Sequence, residues 1–144
     1  MTAAHRDPRG HQSLPHTADV ILEAWGPDLA TCCEEAVAAL VDLYVQPLVA
    51  DTVETRHLHL LPTSAESLLL AVLDEVIFTL DTAEAVPVGA TVTAAGSDGF
   101  DLRLLLADRA AVESTGVVPK AISRSELSVD ERPDEVRCSF LVDV

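Results

Sequence analysis

The sequence predicts a two-layer α+β domain, in which two amphipathic helices pack on one face of a mostly antiparallel sheet. Two segments repeat apolar residues at helical spacing, and six others carry them at the alternating spacing of strands. These segments follow one another as strand, helix, strand, helix and then four strands. With 144 residues, the chain has the length of one ordinary domain. Two such helices can cover one face of a single sheet.

The domain is predicted to follow a tail. Residues 1–14 are polar and without periodicity, so we expect a flexible tail before a single domain over residues 15–144. The first strand is predicted over Ala18–Ala24, where one series of alternate residues is apolar, and a Gly-Pro pair ends it.

The first helix is predicted over Leu29–Val45. Asp28 is a suitable N-cap, because its carboxylate can accept a hydrogen bond from a backbone N–H of the first turn. A proline two residues after Val45 stops the helix. Glu34 and Glu35 lie off the apolar face of this helix, which consists of Leu29, Cys33, Val37, Leu40, Val41 and Tyr44.

The second helix is predicted over Ala65–Leu80. Thr63 and Glu66 have the spacing of a capping box, a hydroxyl followed three residues later by a carboxylate. Its predicted buried face consists of Leu69, Leu73, Val76, Ile77 and Leu80. A strand over Val53–Leu61 precedes this helix.

The rest of the chain has the period of strands. Val88–Ala95 and Phe100–Leu106 flank a Gly-Ser-Asp-Gly sequence, which predicts a hairpin. After a loop, Lys120–Val129 and Val136–Val144 are predicted as two further strands.

The charge of the chain restricts its partners. Asp and Glu number 24 against 9 Lys and Arg, for a net charge of −15. Proteins draw much of their affinity for nucleic acid from Lys and Arg that neutralise phosphates, so we expect no strong direct nucleic-acid binding. An acidic surface suits hard cations or a basic partner protein, although it also simply favours solubility.

The location is expected to be cytoplasmic, without membrane contact. No stretch approaches the roughly 18 apolar residues of a membrane span, and the N-terminal residues lack the apolar core of a secretory signal. Cys32, Cys33 and Cys138 are odd in number and form no CxxC pair, so we expect reduced, buried thiols.

Familiar catalytic motifs are absent from the sequence. It contains no GxxxxGK[ST], GxGxxG, HExxH or GxSxG. His57 and His59 lie two apart on one face of a predicted strand, a spacing that metal ligands sometimes have. An exposed strand histidine without a metal is the commoner arrangement.

Two aspartates suggest a cation site. Asp19 opens the first predicted strand and Asp143 is the penultimate residue of the last. If these strands are antiparallel neighbours, the two carboxylates meet on one sheet face, beside the terminal carboxylate of Val144. Three anionic groups repel one another unless a cation lies among them. Oxygen ligands favour Ca²⁺ or Mg²⁺. The alternative is a pair of solvated surface carboxylates.

The chain resembles the archease family over about residues 14–144. The family opens on an HTAD sequence followed by an aromatic-glycine pair, and it closes on Asp plus an aliphatic residue. Two helical motifs and a KAVT-like strand lie between these ends. The corresponding residues here are His16-Thr17-Ala18-Asp19 with Trp25-Gly26, Leu29–Leu40, Glu66–Thr82, Pro119–Ser123 and Phe140–Val144.

The resemblance implies a function and a site. Archeases are protein cofactors of the GTP-dependent RNA ligase that joins 3′-phosphate or 2′,3′-cyclic-phosphate ends to 5′-hydroxyl ends in tRNA splicing and RNA repair. They promote guanylylation of the ligase and its multiple turnover, and are not themselves enzymes. The family's divalent-metal ligands map onto Asp19, Asp143 and Val144, with Ca²⁺ favoured over Mg²⁺. His16 and Lys120 are candidates for orienting Asp19 or for contacting the partner.

The chain departs from the family at one place. After the KAVT-like strand the family has an aromatic residue and a histidine, where this sequence has Arg124 and Ser125. Two alternatives to the ligase cofactor stay open at this point. One is a small metal-dependent phosphodiester hydrolase that uses Asp19 and Asp143 with His16 as base, and the other is a metal-free protein-interaction module.

Overall fold

The computed structural model describes residues 7–14, 19–46, 52 and 54–144. These residues form eight strands and two α-helices. In chain order the elements are β1 (Gly10–Leu14), β2 (Asp19–Gly26), α1 (Leu29–Tyr44), β3 (Glu54–Leu60), α2 (Ala65–Thr82), β4 (Ala85–Ala94), β5 (Phe100–Asp108), β6 (Ala121–Ile122), β7 (Ser128–Glu131) and β8 (Val136–Asp143).

The strands form two antiparallel sheets. The five-stranded sheet has the order β1-β2-β8-β6, and β7 also pairs with β8. The three-stranded sheet has the order β3-β5-β4. The predicted α+β class and antiparallel pairing are confirmed, but the expectation of a single sheet is wrong. Alternation identifies the buried face of a strand without identifying its neighbours, so it cannot distinguish one sheet from two.

The prediction of a flexible tail over residues 1–14 is wrong for the residues that form β1. Residues 10–14 pair antiparallel with residues 21–25 of β2, so this part of the expected tail is an edge strand. The strand predicted over Lys120–Val129 is likewise wrong in detail. It is divided into β6 and β7, and residues 123–127 leave the sheet between them.

Helix α1 begins and ends close to the predicted positions. The Asp28 carboxylate accepts a hydrogen bond from the backbone N–H of Thr31 at 2.7 Å. The helix ends at Tyr44, whose hydroxyl donates to the carbonyl of Pro87 in β4 at 2.6 Å. Its buried residues are Cys32, Cys33, Ala36, Val37, Ala39, Leu40, Val41 and Tyr44.

Helix α2 has a different cap from the predicted one. Ser64 is the N-cap, and its hydroxyl accepts from the backbone N–H of Ser67 at 3.0 Å. The Ser67 hydroxyl accepts in return from the backbone N–H of Ser64 at 3.0 Å, so the box is Ser-Ser rather than Thr63 with Glu66. A serine hydroxyl satisfies the helix start as a carboxylate would.

The core is built from aliphatic side chains of both helices and both sheets. Helix α1 packs against β2 and β4, and α2 packs against β4, β6 and β7. The largest fully buried side chains are Phe140, Leu22, Leu40, Leu68, Leu69, Leu73, Leu102 and Leu104. Within the described ranges, no helix is long and apolar enough to cross a membrane.

Candidate functional site

Asp19 and Asp143 are direct partners across two central strands. Asp19 is the first residue of β2, Asp143 is the last of β8, and the antiparallel register places them opposite each other. Directly opposed residues have Cβ atoms about 4.5–5.5 Å apart and side chains on the same sheet face. The predicted pairing of the first and last predicted strands is therefore confirmed.

The pair lies on the face of the sheet that points away from the core. The alternate residues of both strands, including Leu22, Phe140 and Val142, are buried against the helices. Asp19 is half-buried and Asp143 is exposed. The Val144 side chain packs partly against the core, which holds the end of the chain beside Asp143. The two carboxylate side chains and Val144 thus belong to one corner of the sheet.

A third strand reaches the same corner. Ala121 of β6 is the register partner of Asp143 on its other side. The backbone N–H of Lys120 donates to the carbonyl of Asp143 at 2.7 Å, and the Lys120 side chain is exposed. Lys120 is therefore adjacent in structure to Asp143, one of the two predicted aspartate ligands. His16 lies outside the described residues.

The candidate ligand atoms are of the chemical type that binds hard cations. All the candidate ligands are anionic oxygens, which Ca²⁺ and Mg²⁺ prefer. In the part of the chain that the structure describes, no three His, Cys, Asp or Glu side chains gather in a metal-binding arrangement. A cation at this corner would therefore depend on the Val144 carboxylate, or on solvent, beyond the two aspartates.

Arg124 and Ser125 lie in the turn between β6 and β7, and both are exposed. Burial raises the pKa of Asp74 on α2, and the nearby positive charge of Arg124 opposes this rise. The Ser125 hydroxyl lies 3.3 Å from that of Ser123. Arg124 and Ser125 thus each have a neighbouring polar or charged group within this chain.

His57 and His59 share the exposed face of β3. The Nδ1 atom of His59 lies 2.7 Å from a carboxylate oxygen of Asp101 on β5, and this hydrogen bond raises the pKa of His59. The Nε2 atom of His57 lies 3.4 Å from the Thr55 hydroxyl. Both histidines are thus exposed on the strand, as the alternation predicted.

All three cysteines are free and buried, as predicted. A separate cleft of about 380 Å³ lies between the end of α2 and residues 109–119. Aliphatic side chains such as Ile77, Leu80 and Val112 form most of its lining, which includes none of the predicted site residues.

A charged cluster between β1 and α1 was not predicted from the sequence. It consists of Arg9, His11, Glu34, Glu35 and Asp42. The side chains of Glu34 and Glu35 are only 19% and 14% exposed, although both were placed off the apolar face of the helix. The alternation of residues on β1 carries no apolar signal, so nothing in the local sequence indicated which residues these glutamates contact.

The chain matches the model of the "Archease protein family (MTH1598/TM1083)" over residues 11–144. It is 36% identical over 135 residues to "Probable protein archease" of Mycobacterium tuberculosis strain H37Rv, covering 94% of this chain and 75% of that protein. It is 24% identical over 142 residues to "Protein archease-like" of Dictyostelium discoideum, covering 94% of each chain.

Two solved structures are similar in fold. The first is the solution structure of protein 1598 of Methanobacterium thermoautotrophicum, with a TM-score of 0.64 and 19% identity over 94% of this chain and 99% of that one. The second is the crystal structure of a Thermotoga maritima archease, described as a "possible chaperone". Its TM-score is 0.66, with 19% identity over 99% of this chain and 100% of that one.

Proposed function

Because the chain belongs to the archease family, we propose that it is an accessory, chaperone-like protein that activates a GTP-dependent RNA ligase. In this proposal it promotes guanylylation and multiple turnover of the ligase in tRNA splicing or RNA repair. It does so with a divalent cation held by Asp19, Asp143 and the terminal carboxylate of Val144. The chain itself is not an enzyme in this scheme.

The observation that supports this site is the register of β2 and β8. Asp19 and Asp143 are direct partners, although they are the first and last residues of strands at opposite ends of the sequence. Two carboxylates at this distance repel each other, and a bound Ca²⁺ reduces that repulsion. The site is open, because Asp143 is exposed, so water or a group on the partner can complete the coordination.

The surroundings favour a protein partner over RNA. The net charge of −15 opposes direct binding to phosphates, whereas it favours a basic protein surface. Lys120 is exposed at the candidate site and its side chain makes no ion pair within the described residues, so it is available to an acidic group of the ligase.

The test compares substitutions at the site with a matched control. We expect Asp19→Asn and Asp143→Asn each to abolish stimulation of ligase guanylylation, and each to weaken Ca²⁺ binding, measured by calorimetry, from an initial micromolar-to-millimolar level. Asp130→Asn is the control, because Asp130 is an exposed aspartate on β7, which also pairs with β8. Lys120→Ala should lower stimulation while leaving Ca²⁺ binding unchanged.

Melting temperatures give an independent measure of the metal site. Without Ca²⁺, Asp143→Asn should equal or exceed wild type in stability, since it removes one of two repelling charges. With Ca²⁺ the order should reverse, because a ligand stabilises only the protein that binds it. An equal response to Ca²⁺ in wild type, both variants and the control would exclude the metal site. Hydrolysis of phosphodiesters by the purified protein would instead favour an enzyme.

A further inference from the structure

Strand β1 is an edge strand, and ion pairs between side chains connect it and the residues just before it to helix α1. It pairs with β2 alone within the sheet. On the face towards α1, Arg9 forms ion pairs with Glu34, at 3.5 Å, and with Glu35. The Glu34 carboxylate also accepts a hydrogen bond from the backbone N–H of Val92 in β4 at 2.8 Å. This cluster therefore connects the edge strands β1 and β4 of the two sheets through α1. We name residues 7–14 the N-terminal strap.

His11 occupies the centre of these contacts. Its Nδ1 atom lies 2.8 Å from a carboxylate oxygen of Glu35, and its Nε2 atom lies 3.0 Å from one of Asp42. Glu35 and Asp42 are seven residues apart, about two turns of helix, so both face the strap. Carboxylates only accept hydrogen bonds, and a neutral imidazole has a single N–H. Both contacts are therefore hydrogen bonds only when His11 is protonated.

The electrostatic surroundings of His11 also favour its protonated form. Burial of the ring lowers its pKa, but the hydrogen bonds and negative charges of Glu35 and Asp42 outweigh this and raise the pKa of His11 above 6.5. Arg9 shares Glu35 with the His11 ring and also forms an ion pair with Glu34. A group whose pKa is raised on folding stabilises the folded state at low pH, and this stabilisation is lost as the pH rises through the folded-state value.

The strap also covers the single tryptophan of the chain. The indole N–H of Trp25 donates to the carbonyl of Asp7 at 2.8 Å. Gly10 lies so close to the ring that a Cβ there would be 2.5 Å from it. With the guanidinium of Arg137 5.0 Å from the ring centroid, Trp25 is only 6% exposed. Movement of the strap would therefore bring water to the indole.

We propose that the N-terminal strap is a pH-sensitive latch, in which protonated His11 holds β1 on α1 and deprotonation loosens the strap over Trp25. The neutral ring keeps one of its two carboxylate partners, so the exposed Asp42 turns to solvent and one of the contacts between strap and helix is lost. The latch is closed below about pH 6 and opens above the raised pKa of His11.

The test uses the full chain and the fluorescence of Trp25 between pH 5.5 and 9. We expect the emission to shift to longer wavelength as the pH rises, with a midpoint above 6.5 that matches the His11 ring titration observed by NMR. In the same pH range, amide exchange of residues 10–14 should accelerate. His11→Gln should remove the emission transition, because glutamine does not titrate. Asp42→Asn should move the midpoint to lower pH.

A matched control is His59→Gln, since His59 also has a raised pKa and a carboxylate partner but lies on the other sheet. It should leave the transition unchanged. Emission independent of pH in the wild type, an unaltered transition in His11→Gln, or an unchanged midpoint in Asp42→Asn would each overturn the proposal. Loss of the transition in His59→Gln would do the same, because it would assign the signal to another histidine.

Discussion

Two glycines at the turn between β4 and β5 differ in their surroundings. Both have positive φ, 64° at Gly96 and 88° at Gly99. A Cβ at Gly96 would meet no heavy atom within 4 Å, whereas one at Gly99 would lie 2.1 Å from the carbonyl oxygen of Leu60. Gly96 is thus required only by its backbone conformation. Gly99 is required both by its conformation and by the close approach of β3.

The two glycines make a paired prediction at the residue scale. Gly96→Ala should cost about 1–2 kcal/mol, the penalty of a left-handed conformation for an L-residue. Gly99→Ala should cost clearly more, because the backbone of Leu60 must also move. Urea denaturation of both variants measures the difference, and equal losses would show that β3 yields to the added methyl group.

At the residue scale, the sequence could predict Asp19 and Asp143 but not the His11 cluster. The two aspartates occupy fixed positions at the start and end of strands whose alternation is clear, so one assumption about neighbouring strands brought them together. His11 is 24 residues from Glu35 and 31 from Asp42, on a strand without apolar alternation. No local sequence pattern predicts a contact between charged residues that lie so far apart in the chain.

At the scale of elements, the helices were predicted more accurately than the strands, because capping residues mark where a helix begins. Asp28 caps α1 as expected, and α2 begins at the predicted residue with a different pair of side chains. Both helices carry a start signal and an apolar face in the same segment. The strands β6 and β7 are only two and four residues long, and they appeared as one strand because the bend at residues 123–127 contains neither glycine nor proline.

The cap of α1 can be tested directly. Asp28→Ala should lower the free energy of unfolding by about 0.5–2 kcal/mol, because it removes the acceptor for the Thr31 N–H. Asp28→Ser is the matched control, since serine keeps an acceptor and should remain close to wild type. Urea denaturation that shows no difference between the alanine and serine variants would contradict the role of this side chain.

At the scale of the whole molecule, the two helices join two separate sheets. Helix α1 contacts β1 and β2 of one sheet and β4 of the other, and Tyr44 and Glu34 reach β4 by hydrogen bonds. The edge strand β1 completes the five-stranded sheet on the side of β2. This assembly explains why the described part of the expected tail is ordered without an apolar face of its own.

Removal of the strap therefore has a predicted cost. Deletion of residues 1–14 should lower the melting temperature by several degrees, because it exposes the edge of β2 and Trp25 and leaves Glu35 and Asp42 without His11. For a chain of this length, each kcal/mol lost corresponds to about 2–4 °C. Deletion of residues 1–6 alone is the control and should have little effect, since it keeps Asp7, Arg9 and His11. Equal melting temperatures for both truncations would show that β1 contributes nothing to stability.

The position of β8 at the end of the chain affects how the protein folds during its synthesis on the ribosome. This strand pairs with β2, β6 and β7, all of which are synthesised before it, and its residue Phe140 is among the largest in the core. Helix α1 and the β4–β5 hairpin can form early from local contacts. The edge of β2 that pairs with β8, in contrast, stays unpaired for more than a hundred residues of translation, until β8 emerges. During that interval the nascent chain exposes an unpaired strand edge, which is the kind of surface that holding chaperones bind and that aggregates when they are absent.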